Sequence, residues 1–283
     1  MEQNHIAGTA ANPEAKLESL NRILEPYRKV VLAFSGGVDS TFLLHMLKED
    51  SRREILAVTA YSPTYPESQR IEARELADQL AVAHLEIETE EIHLEGFRGN
   101  PPDRCYHCKT ELFSRLHAIR VKRGYDVIMD GSNYEDLADF RPGMRAGKEL
   151  GVVSPLQQTG MTKKDIRYLS HKMGLPTWDK PSLACLSSRF PYGTEITEAA
   201  LMQVDRCEAF LRSQTSAQVR VRYHGPVARI ETDPDAFHII IQNRQEIARF
   251  FNEQGFSYIT LDIEGYRTGS MNEVLKEEVK EIR

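Results

Sequence analysis

A glycine-rich stretch, SGGVDS at residues 35–40, separates two apolar runs near the start of the chain. The preceding run, VVLAF, is continuously apolar, as in a strand covered by helices on both faces, and the following run has helical spacing. A turn between such elements leaves backbone N–H groups at the positive end of a helix dipole, where they bind anions. The stretch therefore predicts a strand, a phosphate-binding turn and a helix.

Strand-like and helical patterns alternate over the first two thirds of the chain, which predicts an α/β domain with a doubly wound parallel sheet. The predicted helices are 17–24, 41–48, 67–80, 110–122 and 163–173, and the predicted strands are 29–34, 55–60, 84–87 and 126–129. Beyond the Pro- and Gly-rich stretch LPTWDKPSLACLSSRFPYG the pattern predicts a smaller α+β domain. Its predicted helices are 198–211 and 239–251, and its strands are 218–224, 227–231 and 258–262.

The change of pattern places the domain boundary near Phe190. We expect a disordered N-terminal tail over residues 1–13, a nucleotide-binding domain over 14–189 and the α+β domain over 190–283. The net charge of -6 argues against a nucleic-acid partner. No apolar run approaches the roughly 20 residues of a membrane span, and we see no secretory signal. With only four cysteines, too few for a disulfide scaffold, the chain is expected to be cytoplasmic, without a membrane partner.

The turn itself offers phosphate ligands. Gly36 and Gly37 allow close approach of the backbone, and Ser35 and Ser40 add hydroxyl donors. The lysine that ends a Walker A loop is missing, which argues against transfer of the γ-phosphoryl group. The alternative is an ordinary tight turn in which Asp39 caps the helix.

SGGVDS resembles the signature of the ATP pyrophosphatases, the PP-loop superfamily. The resemblance implies that the loop holds the β,γ-pyrophosphate of ATP while a substrate oxygen attacks the α-phosphate, which adenylates the substrate. It also implies Mg²⁺, with Asp39 as a ligand. Asp130 and Gly131 follow a predicted parallel strand, where open sheets bind ligands, and we add them to the ATP site.

Three cysteines suggest a metal centre. Cys105 and Cys108 form a C-x-x-C pair, and Cys185 lies near the domain boundary. Three thiolates can hold three irons of a 4Fe-4S cluster and leave the fourth open, whereas structural zinc takes four ligands. His107 or Cys207 is a candidate fourth ligand, but helical apolar spacing favours Cys207 as a buried hydrophobe. The alternative for the C-x-x-C is two unpaired thiols.

Longer segments are similar to the LarE-type pyridinium-3,5-bisthiocarboxylic acid mononucleotide synthases. They are DGSNYEDLADFRPGMRAGKELGVVSPL, LPTWDKPSLACLSSRFPYGT and VRVRYHGPVARIE, and the resemblance runs from about residue 30 to 272. It implies an enzyme that adenylates a carboxylate of a pyridinium mononucleotide and replaces the adenylate with sulfur, during synthesis of the nickel-pincer nucleotide of lactate racemase. It further implies a sulfide source and a homo-oligomer.

The sulfur-bearing cysteine of that family matches Cys185. In members with a single cysteine, this residue gives up its sulfur and becomes dehydroalanine. Members that also carry a C-x-x-C resemble enzymes in which a 4Fe-4S cluster delivers sulfide. This chain has Cys105, Cys108 and Cys185, so we expect the cluster route, with sacrifice of Cys185 as the alternative.

Charged residues complete the predicted site. In VRVRYH, alternation places Arg220 and Arg222 on one face of a strand, and the resemblance assigns them to the substrate phosphate; the alternative is a solvated face. Glu208 is expected to orient substrate or take up a proton, unless it is a surface helix residue. Cationic and hydroxyl chemistry favours three more contacts to ATP or AMP: Lys109, Ser188 and Arg189.

Three other classes of protein share part of this pattern. A tRNA thiolase has the same loop and a C-x-x-C, but the acidic charge argues against it. An amide-forming ligase of the loop superfamily does not need three thiols. A zinc-binding module does not explain the phosphate loop.

Overall fold

The computed structural model describes residues 12–137, 142–181, 184–267 and 269–272. Most of the predicted N-terminal tail, residues 1–11, lies outside these ranges, as do residues 138–141 of the RPG segment and residues 182–183 before Cys185. Asn12 and Pro13, which the prediction places in the tail, instead start a helix. The Asn12 side chain accepts a hydrogen bond from the Ala15 backbone, and Pro13 is the first helical residue.

A parallel sheet of four strands forms the first part of the fold. Its strands are β1 (Lys29–Ala33), β2 (Glu54–Tyr61), β3 (Ala83–Glu88) and β4 (Val127–Met129), in the order β3-β2-β1-β4. The helices along this part are α1 (Pro13–Leu24), α2 (Val38–Lys48), α3 (Glu67–Gln79), α4 (Glu95–Arg98), α5 (Arg104–Arg123), α6 (Gly143–Glu149), α7 (Pro155–Gln158) and α8 (Lys163–Lys172).

Apolar cores cover both faces of this sheet. Val30 and Leu32 of β1 belong to one fully buried cluster with α2 and α8, whereas Val31 packs into a second cluster with α5. Alternate residues of a strand point to opposite faces, so a strand between two helical layers is apolar at every position. The predicted doubly wound α/β domain is confirmed.

The last part of the chain is the smaller α+β unit. It contains α9 (Glu198–Gln214), β5 (Val219–His224), β6 (Val227–Thr232), α10 (Phe237–Gln242), α11 (Arg244–Glu253) and β7 (Tyr258–Leu261), with the strands in the order β5-β6-β7. The single helix predicted over 239–251 is wrong, because Asn243 interrupts it. The Asn243 N–H donates to the last turn of α10, and its carbonyl accepts from Ile247 at the start of α11.

The segment around Cys185 is part of the core of this second unit. Leu186 and Phe190 are fully buried against α9 and β5, together with Ile92 and Phe97 from the first part of the chain. The backbone carrying Cys185 is therefore fixed by packing against α9 and β5, which follow it in sequence, and against Ile92 and Phe97, which precede it. Among the described helices, none has the length and apolarity needed to cross a bilayer.

Candidate active site

The loop between β1 and α2 has the backbone of an anion-binding turn. Gly36 has φ +64°, and a Cβ there would lie 3.0 Å from the Ala73 Cα of α3, so both conformation and space require glycine. The hydroxyls of Ser35 and Ser40 lie 3.2 Å apart across the loop. Gly37 caps α2, so the first-turn N–H groups of the helix face the loop.

Asp39 does not cap the helix, because Gly37 occupies the cap position without a side-chain cap bond. Its Oδ2 accepts from Lys163 Nζ at 2.6 Å and from Asn133 Nδ2 at 3.4 Å. Its Oδ1 is buried and has no hydrogen-bond partner among the described residues. A carboxylate oxygen without a partner beside a phosphate loop fits a magnesium ligand. The alternative of a plain turn is therefore wrong in one respect, because Asp39 does not cap the helix.

The end of β4 packs against this loop. A Cβ at Gly131 would lie 2.8 Å from the Ser40 backbone nitrogen. Asp130 accepts hydrogen bonds from Ser132 and Ser154 at 2.7 and 2.6 Å. Gly131 thus lets the β4 end approach the loop, while the carboxylate of Asp130 shapes the adjoining turn. Their contact with ATP stays a prediction.

Two lysines near the loop were missed by the sequence analysis. Lys163 pairs with Asp39, and Lys180 Nζ donates to the Gly36 carbonyl at 3.0 Å while pairing with Glu72 at 2.7 Å. Lys163 begins α8 and Lys180 follows this helix. Both lie more than 100 residues from the loop in sequence. Neither belongs to a motif, so only the fold reveals that they bring positive charge to the loop.

A buried ion pair holds the segment that carries Cys185. Nε and Nη2 of Arg189, which form one edge of its guanidinium, donate to the two oxygens of the Glu208 carboxylate of α9, at 2.8 and 2.9 Å. Arg189 NH1 also donates to the Cys185 carbonyl at 3.1 Å, and Glu208 accepts from the Val221 backbone at 3.0 Å. Glu208 therefore joins β5 to the segment that carries Cys185, Ser188 and Arg189.

Glu208 is fully buried, so the alternative of a surface helix residue is wrong. Burial raises its pKa, but the charge of Arg189 and the hydrogen bonds from it outweigh burial and leave the pKa below its ordinary value. An ionised carboxylate with both oxygens bonded is an anchor for Arg189. Direct action of Glu208 on substrate, and contact of Arg189 or Ser188 with AMP, stay predictions.

Arg220 and Arg222 are only 4% and 5% exposed, so the alternative of a solvated strand face is wrong. Arg222 donates to Glu231 at 2.6 Å and to the Ser188 carbonyl at 3.1 Å. Burial, followed by the charge of Arg189, lowers the pKa of Arg220 to about 10. A cation disfavoured by burial and by a neighbouring cation is stabilised by an incoming anion, which fits a phosphate ligand.

Cys105 and Cys108 lie in the first two turns of α5, which begins earlier than predicted. Tyr65 OH contacts Cys108 Sγ at 4.0 Å. Burial is the main cause that raises the pKa of Cys108 well above its usual range, followed by the charge of Glu91, with smaller contributions from Cys185 and Cys105. The pKa of Tyr65 is also raised, by Cys108, burial and Cys185. We name Tyr65, Cys105, Cys108 and Cys185 the cysteine pocket.

Thiolates are the ligands of iron-sulfur clusters, and the charges of Cys105 and Cys185 both act on Cys108. Cys207 is fully buried in the core of the second unit, as its helical spacing predicts. Within the described ranges, no three His, Cys, Asp or Glu side chains are grouped to hold a metal ion. The cluster on Cys105, Cys108 and Cys185 therefore stays a prediction.

The neighbours of the C-x-x-C pair do not reach the phosphate loop through any described hydrogen bond. Lys109 Nζ lies 5.4 Å from the centre of the Phe113 ring, on the same helix. The His107 ring covers Gly96 of α4 and lies 3.9 Å from Asp103. Contact of Lys109 with ATP and ligation by His107 stay predictions.

Comparison with known proteins supports the same superfamily. The family model for asparagine synthase matches residues 17–118, which span β1 to β3, the phosphate loop and most of α5. An uncharacterized protein of Synechocystis sp. is 40% identical over 93% of this chain and 98% of its own length. The pyridinium-3,5-bisthiocarboxylic acid mononucleotide synthase of Lactiplantibacillus plantarum is 35% identical over 92% of this chain and 95% of its own. The chain belongs to this synthase family.

Membership of the pyridinium-3,5-bisthiocarboxylic acid mononucleotide synthase family confirms the resemblance seen in the sequence. The match covers both units of the fold, so it includes the phosphate loop and the cysteine segment. A tRNA-specific 2-thiouridylase of Geobacter metallireducens is 27% identical, but over only 54% of this chain and 53% of its own. The similarity to this thiouridylase thus covers about half of the chain, whereas the similarity to the synthase covers 92% of it.

Proposed function

We propose that the protein is an ATP-dependent sulfur transferase that acts on pyridinium-3,5-biscarboxylic acid mononucleotide during synthesis of the nickel-pincer nucleotide. The observation that carries the proposal is the Arg189–Glu208 pair. It ties the backbone of Cys185 to β5, the strand of Arg220 and Arg222, by bonds of 2.8–3.1 Å. A sulfur-bearing residue and a pair of cations for the substrate phosphate thus share one rigid frame.

The first step is adenylation at the phosphate loop. A carboxylate oxygen of the substrate attacks the α-phosphorus of ATP, the bond to the bridging oxygen of the β-phosphate breaks, and pyrophosphate leaves. The backbone N–H groups after Gly37, with Lys163 and Lys180 close by, stabilise the charge that develops on the leaving pyrophosphate. Asp39 would hold Mg²⁺ through Oδ1, which accepts no hydrogen bond from the part of the chain that the structure describes.

The second step replaces AMP with sulfur. In the cluster route Cys105, Cys108 and Cys185 would hold a 4Fe-4S centre, which supplies a terminal sulfide when bound. In the sacrificial route the Cys185 thiolate attacks the acyl carbon, a thioester forms and AMP leaves. Loss of the Cα proton and cleavage of the Cβ–S bond then give the thiocarboxylate and a dehydroalanine at position 185.

The test combines ATP, Mg²⁺ and the dicarboxylate mononucleotide with protein prepared without oxygen. We expect pyrophosphate release, and a product with the mass gain of sulfur for oxygen. Cys185→Ala is expected to release pyrophosphate but to form no sulfurated product, whereas Cys207→Ala, which changes a cysteine outside the pocket, should retain both. Pyrophosphate release that needs tRNA in place of the mononucleotide would contradict the proposal.

Iron and mass analysis separate the two sulfur routes. The cluster route predicts iron and acid-labile sulfide in the reconstituted protein, and loss of both in the Cys105→Ala, Cys108→Ala double variant with ATP binding retained. The sacrificial route predicts a metal-free protein that loses the mass of hydrogen sulfide after one turnover. Iron retained at the wild-type level in the double variant would overturn the cluster assignment.

A further inference from the structure

Glu91 is a buried carboxylate that no motif in the sequence singles out. It begins a 3-10 turn, Glu91–His93, directly after β3, and its side chain is 0% exposed. Its Oε1 accepts from Ser62 Oγ at 2.5 Å and from Thr64 Oγ1 at 2.7 Å. Both donors lie in the loop after β2, so one carboxylate oxygen fixes that loop.

The loop fixed by Glu91 contacts both cysteine-bearing segments. Tyr65 OH lies 4.0 Å from Cys108 Sγ on α5. The Thr64 carbonyl accepts from the backbone N–H of Leu186 at 2.8 Å, and Leu186 directly follows Cys185. Residues 62–65 therefore bridge the C-x-x-C helix and the Cys185 segment.

The described residues satisfy only one oxygen of the Glu91 carboxylate. Its Oε2 has no hydrogen-bond partner, and no cation among the described residues pairs with it. Burial of a carboxylate without a cation costs free energy, and a neutral amide oxygen would accept the same two hydroxyls. A buried carboxylate that holds the loop between two cysteine segments, where a neutral amide would suffice for the hydrogen bonds, indicates a role in the site.

We propose that Glu91 is a positioning residue of the cysteine pocket, which holds residues 62–65 so that Thr64 and Tyr65 set the placement of Cys185 relative to Cys108. Its effect on sulfur transfer rests on the proposed function, whereas its effect on the backbone does not. The first readout is therefore hydrogen exchange of the Leu186 amide. The second is the amount of sulfurated product formed per pyrophosphate released.

The test compares Glu91→Ala, Glu91→Gln and the matched control Glu88→Gln, which changes an exposed carboxylate of β3. In Glu91→Ala we expect Leu186 exchange to rise about tenfold and product per pyrophosphate to fall about tenfold, the size of one lost buried hydrogen bond. Pyrophosphate release itself should stay within about twofold of wild type. Glu91→Gln should restore both readouts, because its amide oxygen still accepts from Ser62 and Thr64.

Three outcomes would overturn the proposal. The first is unchanged Leu186 exchange in Glu91→Ala. The second is an equal fall of product and pyrophosphate, which indicates general loss of folding. The third is normal Leu186 exchange in Glu91→Gln together with a product ratio as low as that of Glu91→Ala. This result would mean that sulfur transfer depends on the charge of Glu91 and not on the placement of residues 62–65.

Two further variants cover the case in which Glu91→Ala does not fold. Thr64→Val and Ser62→Ala each remove one hydroxyl donor and keep the backbone carbonyls. Each is expected to raise Leu186 exchange and lower the product ratio by less than Glu91→Ala does. If neither variant changes these two readouts, the proposal is overturned. If the wild-type protein forms no sulfurated product, the proposed function fails, and Leu186 exchange in these variants still decides the role of Glu91.

Discussion

Gly131 and Ser40 approach so closely that a single methyl group cannot be placed between them. A Cβ at position 131 would lie 2.8 Å from the Ser40 nitrogen and 3.0 Å from its Cα. The neighbours are backbone atoms, which cannot rotate away as the end of a side chain can. The end of β4 therefore fixes the position of the phosphate loop.

We expect Gly131→Ala to displace the loop and to weaken ATP binding by roughly tenfold or more, which corresponds to the usual 1–3 kcal/mol of overpacking. Isothermal titration calorimetry with ATP measures this effect. Gly99→Ala is the matched control, because a Cβ at Gly99 would meet its nearest neighbour at 3.8 Å, an ordinary contact. Equal affinity of the two variants would contradict the prediction.

Asp39→Asn should abolish the magnesium dependence of pyrophosphate release while leaving the fold intact. The amide keeps the contact with Asn133 but loses the charge that pairs with Lys163 and the anionic oxygen Oδ1. We expect pyrophosphate release to fall roughly 100-fold or more, as for loss of a group that holds a catalytic metal. A magnesium titration of the rate gives the measurement. Asp78→Asn, at an exposed position of α3, should behave as wild type.

Glu208→Gln is expected to lower the free energy of unfolding by about 3–5 kcal/mol, since it leaves the buried Arg189 without a counter-charge. Urea denaturation at pH 7 measures the change. Glu198→Gln, an exposed residue in the first turn of the same helix, is the control. A loss as small as that of the control would mean that Arg189 finds another anion.

The same pair predicts how stability depends on pH. The pKa of Glu208 is lowered in the folded protein, so its contribution is complete above the unfolded value, about 4.3, and is lost as the pH falls through the lower folded value. The difference in unfolding free energy between wild type and Glu208→Gln should therefore be constant from neutral pH to about 5 and shrink below about 4. A difference that grows on acidification has the wrong sign.

Arg220→Met should weaken binding of the mononucleotide more than binding of ATP. Arg220 is 4% exposed and its pKa is lowered by burial and by Arg189, so an anionic ligand relieves an unfavourable charge. We expect roughly a tenfold loss for the mononucleotide, the size of one charge-assisted hydrogen bond. Fluorescence or calorimetric titration with each ligand separates the two sites. Arg206→Met, at an exposed position of α9, is the control. Equal losses for both ligands would place Arg220 outside the mononucleotide site.

Local patterns predicted the first sheet well, because β1, β2 and β4 have runs of successive apolar residues, whereas β3 has apolar residues at alternate positions. Helix starts were less accurate: α2 begins at Val38 and α5 at Arg104, earlier than their apolar periodicity indicates. The first turns of these helices carry glycine, serine, aspartate or cysteine, which periodicity does not register. Those turns contain the residues of greatest functional interest.

The candidate site was predictable where a motif carried it and not where distant segments meet. Gly131 was assigned to the ATP site because open sheets bind ligands at the carboxyl ends of parallel strands, and the structure places it against the phosphate loop. Lys163, Lys180 and Glu91 belong to no motif, and Glu91 stands among exposed acids such as Glu88 and Glu90. Only the tertiary fold distinguishes the buried carboxylate from its neighbours.

The packing of Leu186 and Phe190 into the core of the second unit determines which of two sites forms first during synthesis of the chain, the phosphate loop or the cysteine pocket. On the ribosome, the strands and helices around the phosphate loop emerge first, and Cys185 emerges before α9, β5 and β6 exist to receive its flanking residues. Folding of the last third is therefore a precondition for assembly of the cysteine pocket. A newly made chain forms its phosphate loop before it can hold Cys185 in place.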